Sequence, residues 1–267
     1  MKPIQTNIDK YKKIINKPKK QFIPNKTDVD LLNTLALEWQ RGINSGGSID
    51  YKHKNNSNGE YDKYRVNIMV YVDSNADKYF KYCEYTFVEW CNNMGYTLTI
   101  VRKENNLNSY VTWKKIDLLR EAVVKKTHDI VAIVDADVII NNTELDLKSY
   151  IKRDKLIYAS SDGENGNSVV NTGFLFVLCS DETERFLDNL WKQRNGKYAN
   201  KPYHEQTVIS EMYKSDYYNI IEVLGMRELN SFYLDDKYNR PNNNVYHFMA
   251  RSLKHKVDYV KSHFNIK

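Results

Sequence analysis

The sequence predicts an α/β fold with a mostly parallel central sheet, because from Arg65 onward short apolar runs alternate with amphipathic helical stretches and the runs close on aspartate or turn residues. The first run, residues 66–72, ends at Asp73 and Ser74, as a buried strand entering a turn does. Residues 76–94 then read as a helix. Tyr79, Cys83, Phe87 and Trp90 recur at helical spacing on one face, and Gly95 stands where a left-handed cap is favoured. Residues 97–101 form a second strand, and residues 111–125 a second helix that carries Ile116, Leu119 and Val123 inward. A third strand, 130–134, runs straight into Asp135-Ala-Asp137. Further strands are expected at 156–159, 174–178, 220–223 and 245–248, with helices at 182–193, 205–213 and 251–262. In open sheets of this kind ligands gather beyond the carboxyl ends of the strands, where Asp73, Asp135 and Asp137 fall.

The 267 residues suffice for one core. We expect a single domain over residues 64–267, preceded by a basic, partly irregular extension over residues 1–63 in which only residues 29–39 have helical periodicity. The net charge of +6 suits an anionic partner without naming one. Cys83, Cys91 and Cys179 are odd in number and show no Cys-x-x-Cys spacing, which argues against a disulfide framework or a structural zinc site and for a reducing compartment. No apolar signal core follows Met1 and no run reaches the length of a membrane span, so the expectation is a soluble, cytoplasmic protein.

Two aspartates one residue apart at a strand end project to the same side and can reach one hard cation together. A divalent metal there neutralises a diphosphate as it leaves, the Lewis-acid task of sugar-nucleotide chemistry. Asp28-Val-Asp30 has the same spacing but no strand before it, so the context of Asp135 and Asp137 is what distinguishes them.

Five segments in order, Trp113-Lys114-Lys115-Ile116, Ile133-Val-Asp-Ala-Asp-Val138, Asn171-Thr-Gly-Phe-Leu175, His204-Glu-Gln206 and His247-Phe-Met-Ala250, resemble the fungal α-galactosyl and α-mannosyl transferases and the plant xyloglucan xylosyltransferases. The resemblance covers about residues 65–255 and implies a GT-A fold, a single Rossmann-like nucleotide-diphospho-sugar transferase domain. It implies manganese, or magnesium, on Asp135, Asp137 and a late histidine, His247, with a nucleotide diphosphate sugar as donor, a UDP-sugar first, and a glycan or other hydroxyl acceptor. Arg251 and Lys254, just after that histidine, are placed to meet phosphate oxygens. Lys114, or its neighbour Lys115, has a similar part near the nucleotide, and Asp73 belongs to the same donor site. Asn171 offers donor and acceptor atoms to sugar hydroxyls beside Thr172, and Gly173 lets the backbone pass close to a ligand. Asp162 is a contact to donor sugar or acceptor. Glu205 hydrogen-bonds a sugar, and Gln206 orients groups or steadies positive charge through its carbonyl oxygen. The family retains anomeric configuration; an inverting route would instead call on Glu205 as base.

Two other readings fit parts of the chain. A haloacid dehalogenase-type phosphohydrolase would take Asp135 as nucleophile, with residues 158–161 and Asp235-Asp236 as further motifs. It leaves the segments at 171–173, 204–206 and 247 without a task, and a complete βαβα precedes its acidic strand. A non-catalytic binder of nucleotides or nucleic acid would use Lys19, Lys20, Phe22 and Lys26, but leaves every motif unused; no nucleic acid partner is expected.

Overall fold

A computed structural model describes residues 63–103, 111–162, 169–196, 204–232, 243–248 and 252–263. The expected helix at 29–39, Arg251, Asp235 and Asp236 lie outside the described residues. The chain divides into two units, residues 1–48 with 257–267 and residues 49–256, and the fold below is that of the second.

Strand β1 (Val66–Asp73) leads through helix α1 (Asp77–Met94) to β2 (Thr97–Lys103), and α2 (Val111–Lys125) leads to β3 (Ile130–Asp135). β4 (Val138–Ile140), β5 (Ile157–Ser161) and β6 (Val170–Leu178) follow, then α3 (Asp181–Lys192) and α4 (His204–Lys214). β7 (Ile221–Leu224), α5 (Met226–Leu229), β8 (Ser231–Phe232) and β9 (Val245–His247) follow, and α6 (Leu253–His263) begins in this unit, its residues from 257 onward belonging to the first. The large sheet has six strands in the order β2-β1-β3-β6-β5-β7. All run one way except β6, which is antiparallel to both neighbours. That reversal carries the start of β6 to the edge where β1, β3 and β5 end.

Side chains alternate across the sheet as the pleat requires. Met69, Val131, Ile133, Leu175 and Val177 meet Ile116, Leu119 and Val123 of α2, Phe186, Leu187 and Leu190 of α3, and Val208 and Ile209 of α4 in one cluster. On the opposite face Trp90 of α1 lies 6.0 Å, ring to ring, from Phe174. The α1 face predicted from spacing is buried at Tyr79, Cys83, Phe87 and Trp90. Gly95 ends the helix at φ 68°, a left-handed conformation that glycine adopts without a Cβ penalty, and Tyr96 N–H bonds Cys91 O at 2.8 Å.

Helix α3 begins on Ser180, whose hydroxyl accepts the Thr183 N–H at 3.1 Å, with Asp181, Glu182 and Glu184 in a first turn that favours negative charge. Ser180→Ala is expected to lower unfolding stability by about 1 kcal/mol, with Ser180→Asp near wild type. Equal denaturant midpoints for the alanine variant and the wild type would rule the cap out.

Two features differ from the expectation. Asn171, Thr172 and Gly173 lie inside β6 rather than ahead of it, because Ser160 and Ser161 of β5 pair with Asn171 and Val170 past a register shift that leaves Thr172, Gly173 and Phe174 of β6 without a partner in β5. A second sheet, β4-β9-β8, stands beside the first. Its strand β9 is the one expected at 245–248, whereas β4 and β8 are too short for alternation to reveal. Its register decides the site, however: Val138 pairs with His247, and Phe248 N–H bonds Asp137 O at 2.8 Å. Among the described residues no helix is long and apolar enough to cross a membrane.

Candidate metal centre and donor site

β3 delivers Asp135 and Asp137 at its carboxyl end, and β9 delivers His247 against them. One ligand atom from each of the three lies within 4.8 Å of the others. The His247 Nε2 is 3.3 Å from Asp137 Oδ1 and 4.0 Å from Asp135 Oδ2. Each group has its other polar atom already engaged. Asp135 Oδ1 accepts from Lys115 Nζ at 2.8 Å, Asp137 Oδ2 from Lys256 Nζ at 2.5 Å, and His247 Nδ1 lies 2.7 Å from Asn230 Oδ1. The atoms left facing one another are two carboxylate oxygens and one imidazole nitrogen. That donor set fits a divalent ion of the manganese or magnesium kind and leaves coordination positions for a ligand's oxygens.

Charge fits the same picture. Burial would raise the Asp137 carboxyl, but His247, when its ring is protonated, and Lys256 beside it hold it well below the usual carboxylate range. Burial would lower Lys115, yet the charges of Asp135 and Glu205 and the bonds to them keep it above its ordinary value. The Tyr79 phenol is held well up, by burial first and then by the charges of Asp137, Asp135 and Asp73.

Gly173 occupies the floor of this centre. A Cβ built there would meet the His247 ring, 2.1 Å from Cε1 and 2.6 Å from Nδ1. The close neighbour that this glycine admits is therefore the imidazole, where the sequence suggested a ligand.

Next to the acid pair lies a second buried cluster. Lys115 Nζ also reaches Glu205 Oε1 at 3.2 Å and donates to Thr172 O at 3.0 Å. Thr172 Oγ1 donates to the same Glu205 oxygen at 2.9 Å, and Thr172 N–H donates to Gln206 Oε1 at 3.2 Å. Glu205 is 2% exposed, and its Oε2 is buried with no hydrogen-bond partner among the described residues. His204, just before it, takes φ 38°, a left-handed backbone that side chains adopt at a cost of order 1 kcal/mol and that recurs at functional sites.

Asn171 is buried, its Nδ2 donating to Asp162 Oδ1 at 3.0 Å and its Oδ1 accepting from Gly173 N–H at 2.8 Å, so it braces the strand start. The half-buried Asp162 holds the other end of that brace. Gln206 gives to Thr172 the oxygen expected to face positive charge. Asp73 Oδ1 accepts from Asn75 and Ala76 N–H at 2.9 and 2.6 Å, closing the turn into α1. Lys114 is half-buried; the lysine on the acid pair is Lys115. Lys254 is exposed, and the α6 lysine on Asp137 is Lys256.

Sequence reasoning missed Lys256 and Asn230 and left Lys115 as an alternate. A signal existed for Lys115: it lies one turn before Leu119 on the inward face of α2, and a lysine there must find a carboxylate. None existed for Asn230, which depends on the pairing of β8 with β9.

No family model matches the chain, and no curated protein does. Among solved structures it is similar to a glycosyltransferase involved in the glycosylation of the major capsid of PBCV-1, with TM-score 0.63 and 16% identity over 74% of this chain and 99% of that one. Weaker likenesses are to the glycosyltransferase GlyE of Streptococcus pneumoniae TIGR4 (TM-score 0.46, 13% identity, 74% of this chain and 60% of that one) and to the galactosyltransferase LgtC solved with donor and acceptor sugar analogues (0.43, 13%, 73% and 95%). What the capsid-glycosylating enzyme shares with this chain at such identity is architecture, and the chain has a GT-A-type fold.

Proposed function

We propose that this protein is a divalent-metal-dependent glycosyltransferase that moves a sugar from a nucleoside diphosphate donor, a UDP-sugar first, to a hydroxyl of a glycan acceptor with retention of configuration. The observation that carries the reading is the convergence of Asp135, Asp137 and His247, from segments far apart in the chain, with their free ligand atoms turned to one point. The GT-A-type fold supports it, as does the site's place at the carboxyl edge of the sheet.

A bound divalent ion would supply charge neutralisation for the diphosphate as it leaves. The chain's own residues do the rest. Lys115 and Lys256 each hold one oxygen of an aspartate and so fix the direction of the other. Glu205 is held through Oε1, which leaves Oε2 to accept a hydrogen bond from a sugar hydroxyl. With no base assigned, the glycosyl bond to phosphate breaks while the acceptor oxygen bonds the same face. The acceptor's proton passes to the departing phosphate oxygen. The phosphohydrolase reading is weaker, since it gives His247 and Glu205 nothing to do.

A thermal-shift panel of nucleotides and nucleotide sugars, with and without manganese, tests the reading. One nucleoside diphosphate class is expected to stabilise the protein only with the metal, by about 2.7 kcal/mol at a hundred times its dissociation constant. Asp137→Asn should abolish the metal-dependent part. If millimolar nucleotides and nucleotide sugars leave the melting temperature unmoved in every combination, the proposal is wrong.

A further inference from the structure

Asn230 is completely buried at the junction of α5 and β8, and β8 pairs with β9 so that Phe232 stands opposite His247. Its side-chain amide has two partners. Nδ2 donates to the backbone carbonyl of Ser161 at 3.2 Å, and Oδ1 lies 2.7 Å from His247 Nδ1. A backbone carbonyl can only accept, so the Ser161 contact fixes which end of the amide is nitrogen. The end turned to the imidazole is then an oxygen, which also only accepts, so the proton between them belongs to Nδ1. A neutral imidazole protonated at Nδ1 has its lone pair at Nε2, the atom that faces Asp137 Oδ1 at 3.3 Å and Asp135 Oδ2 at 4.0 Å. The imidazole also rests on the strand at Gly173, where a Cβ would otherwise be.

We propose that Asn230 is a positioning residue that locks the buried His247 ring in the Nδ1–H tautomer, so that Nε2 is delivered as a free lone pair to a divalent cation between Asp135 and Asp137. The inference rests on the metal-dependent reading above for its purpose, but not for its chemistry. Ser161, at the end of β5, thereby enters the centre through its backbone alone. A chain of hydrogen bonds runs from the large sheet, through Asn230, to the small sheet's histidine.

Two measurements separate this role from simple packing. Nitrogen-15 NMR of His247 in metal-free protein, at an alkaline pH where the ring is neutral, is expected to show the Nδ1–H tautomer in the wild type and in Asn230→Asp, whose carboxylate still accepts. In Asn230→Leu, similar in shape but without an acceptor, the ring should turn to the Nε2–H form. Calorimetric titration with manganese alone should then show Asn230→Leu weakened by about 10- to 100-fold and Asn230→Asp weakened less, since its carboxylate keeps the acceptor for Nδ1–H and loses only the bond to the Ser161 carbonyl. An Nε2–H ring in the wild type overturns the proposal, and so does equal manganese weakening in the two variants. Should Asn230→Leu not fold, the tautomers of the wild type and Asn230→Asp still decide the matter. A wild type that binds no manganese but shows the Nδ1–H ring sinks the metal-dependent function and leaves the role of Asn230 in fixing the ring intact.

Discussion

Gly173→Ala is expected to destabilise the protein and to abolish tight divalent-cation binding at one stroke. The added methyl would lie 2.1 Å from His247 Cε1, far inside contact distance, and the neighbour is a ring rather than the loose end of a flexible side chain. The ring has little freedom to retreat: it is buried, its Nδ1 is bonded to Asn230, and β9 is anchored by the pairing of His247 with Val138. Overpacking of this kind costs about 1–3 kcal/mol. The displaced Nε2 should also lower manganese affinity on the order of 100-fold. A second substitution isolates the cause. His247→Ala in the Gly173→Ala background removes the clash, so it should recover unfolding stability while cation binding stays lost. A Gly173→Ala protein that melts and binds manganese like the wild type would mean that the ring and the strand are not in contact.

Asp135 and Asp137 were legible in the sequence because an apolar run ended on them and a strand end fixes where its next side chains point. The large sheet was legible for the same reason, with α1 and α2 marked by inward residues at helical spacing. Gly173 was singled out as a place where a ligand comes close, and what approaches it is a residue from the far end of the chain. No local pattern could supply that neighbour. Of the second sheet only β9 was legible, as the run at 245–248, because β4 has three residues and β8 two, too few to establish alternation. Lys256 and Asn230 were lost with the rest, since each reaches the acid pair or the histidine only through a contact that this sheet or its flanks bring in. Periodicity reports which side of an element is buried, and register between distant segments reports what it is buried against.

Lys115→Met should be the most damaging single change to folding stability, at about 3–5 kcal/mol, and the reason is Glu205 rather than Asp135. Lys115 Nζ bridges the two carboxylates, at 2.8 Å from Asp135 and 3.2 Å from Glu205. Their surroundings differ sharply. The Asp135 side chain is 31% exposed and can turn to water or to a bound cation, while that of Glu205 is 2% exposed and its other oxygen has no partner among the described residues. Methionine fills the volume of the lysine stem but leaves the glutamate as a buried charge facing one hydroxyl, that of Thr172. The double variant Lys115→Met/Glu205→Gln removes the stranded charge and should regain most of the loss in denaturant unfolding. Glu205→Gln alone should cost less than Lys115→Met, because the lysine keeps Asp135 and the Thr172 carbonyl. If the single lysine variant and the double variant unfold at the same denaturant concentration, Glu205 is not the charge that Lys115 neutralises. The bridge links the acid pair to the expected sugar-binding residue, so its measured coupling would say whether the two halves of the site are held as one unit.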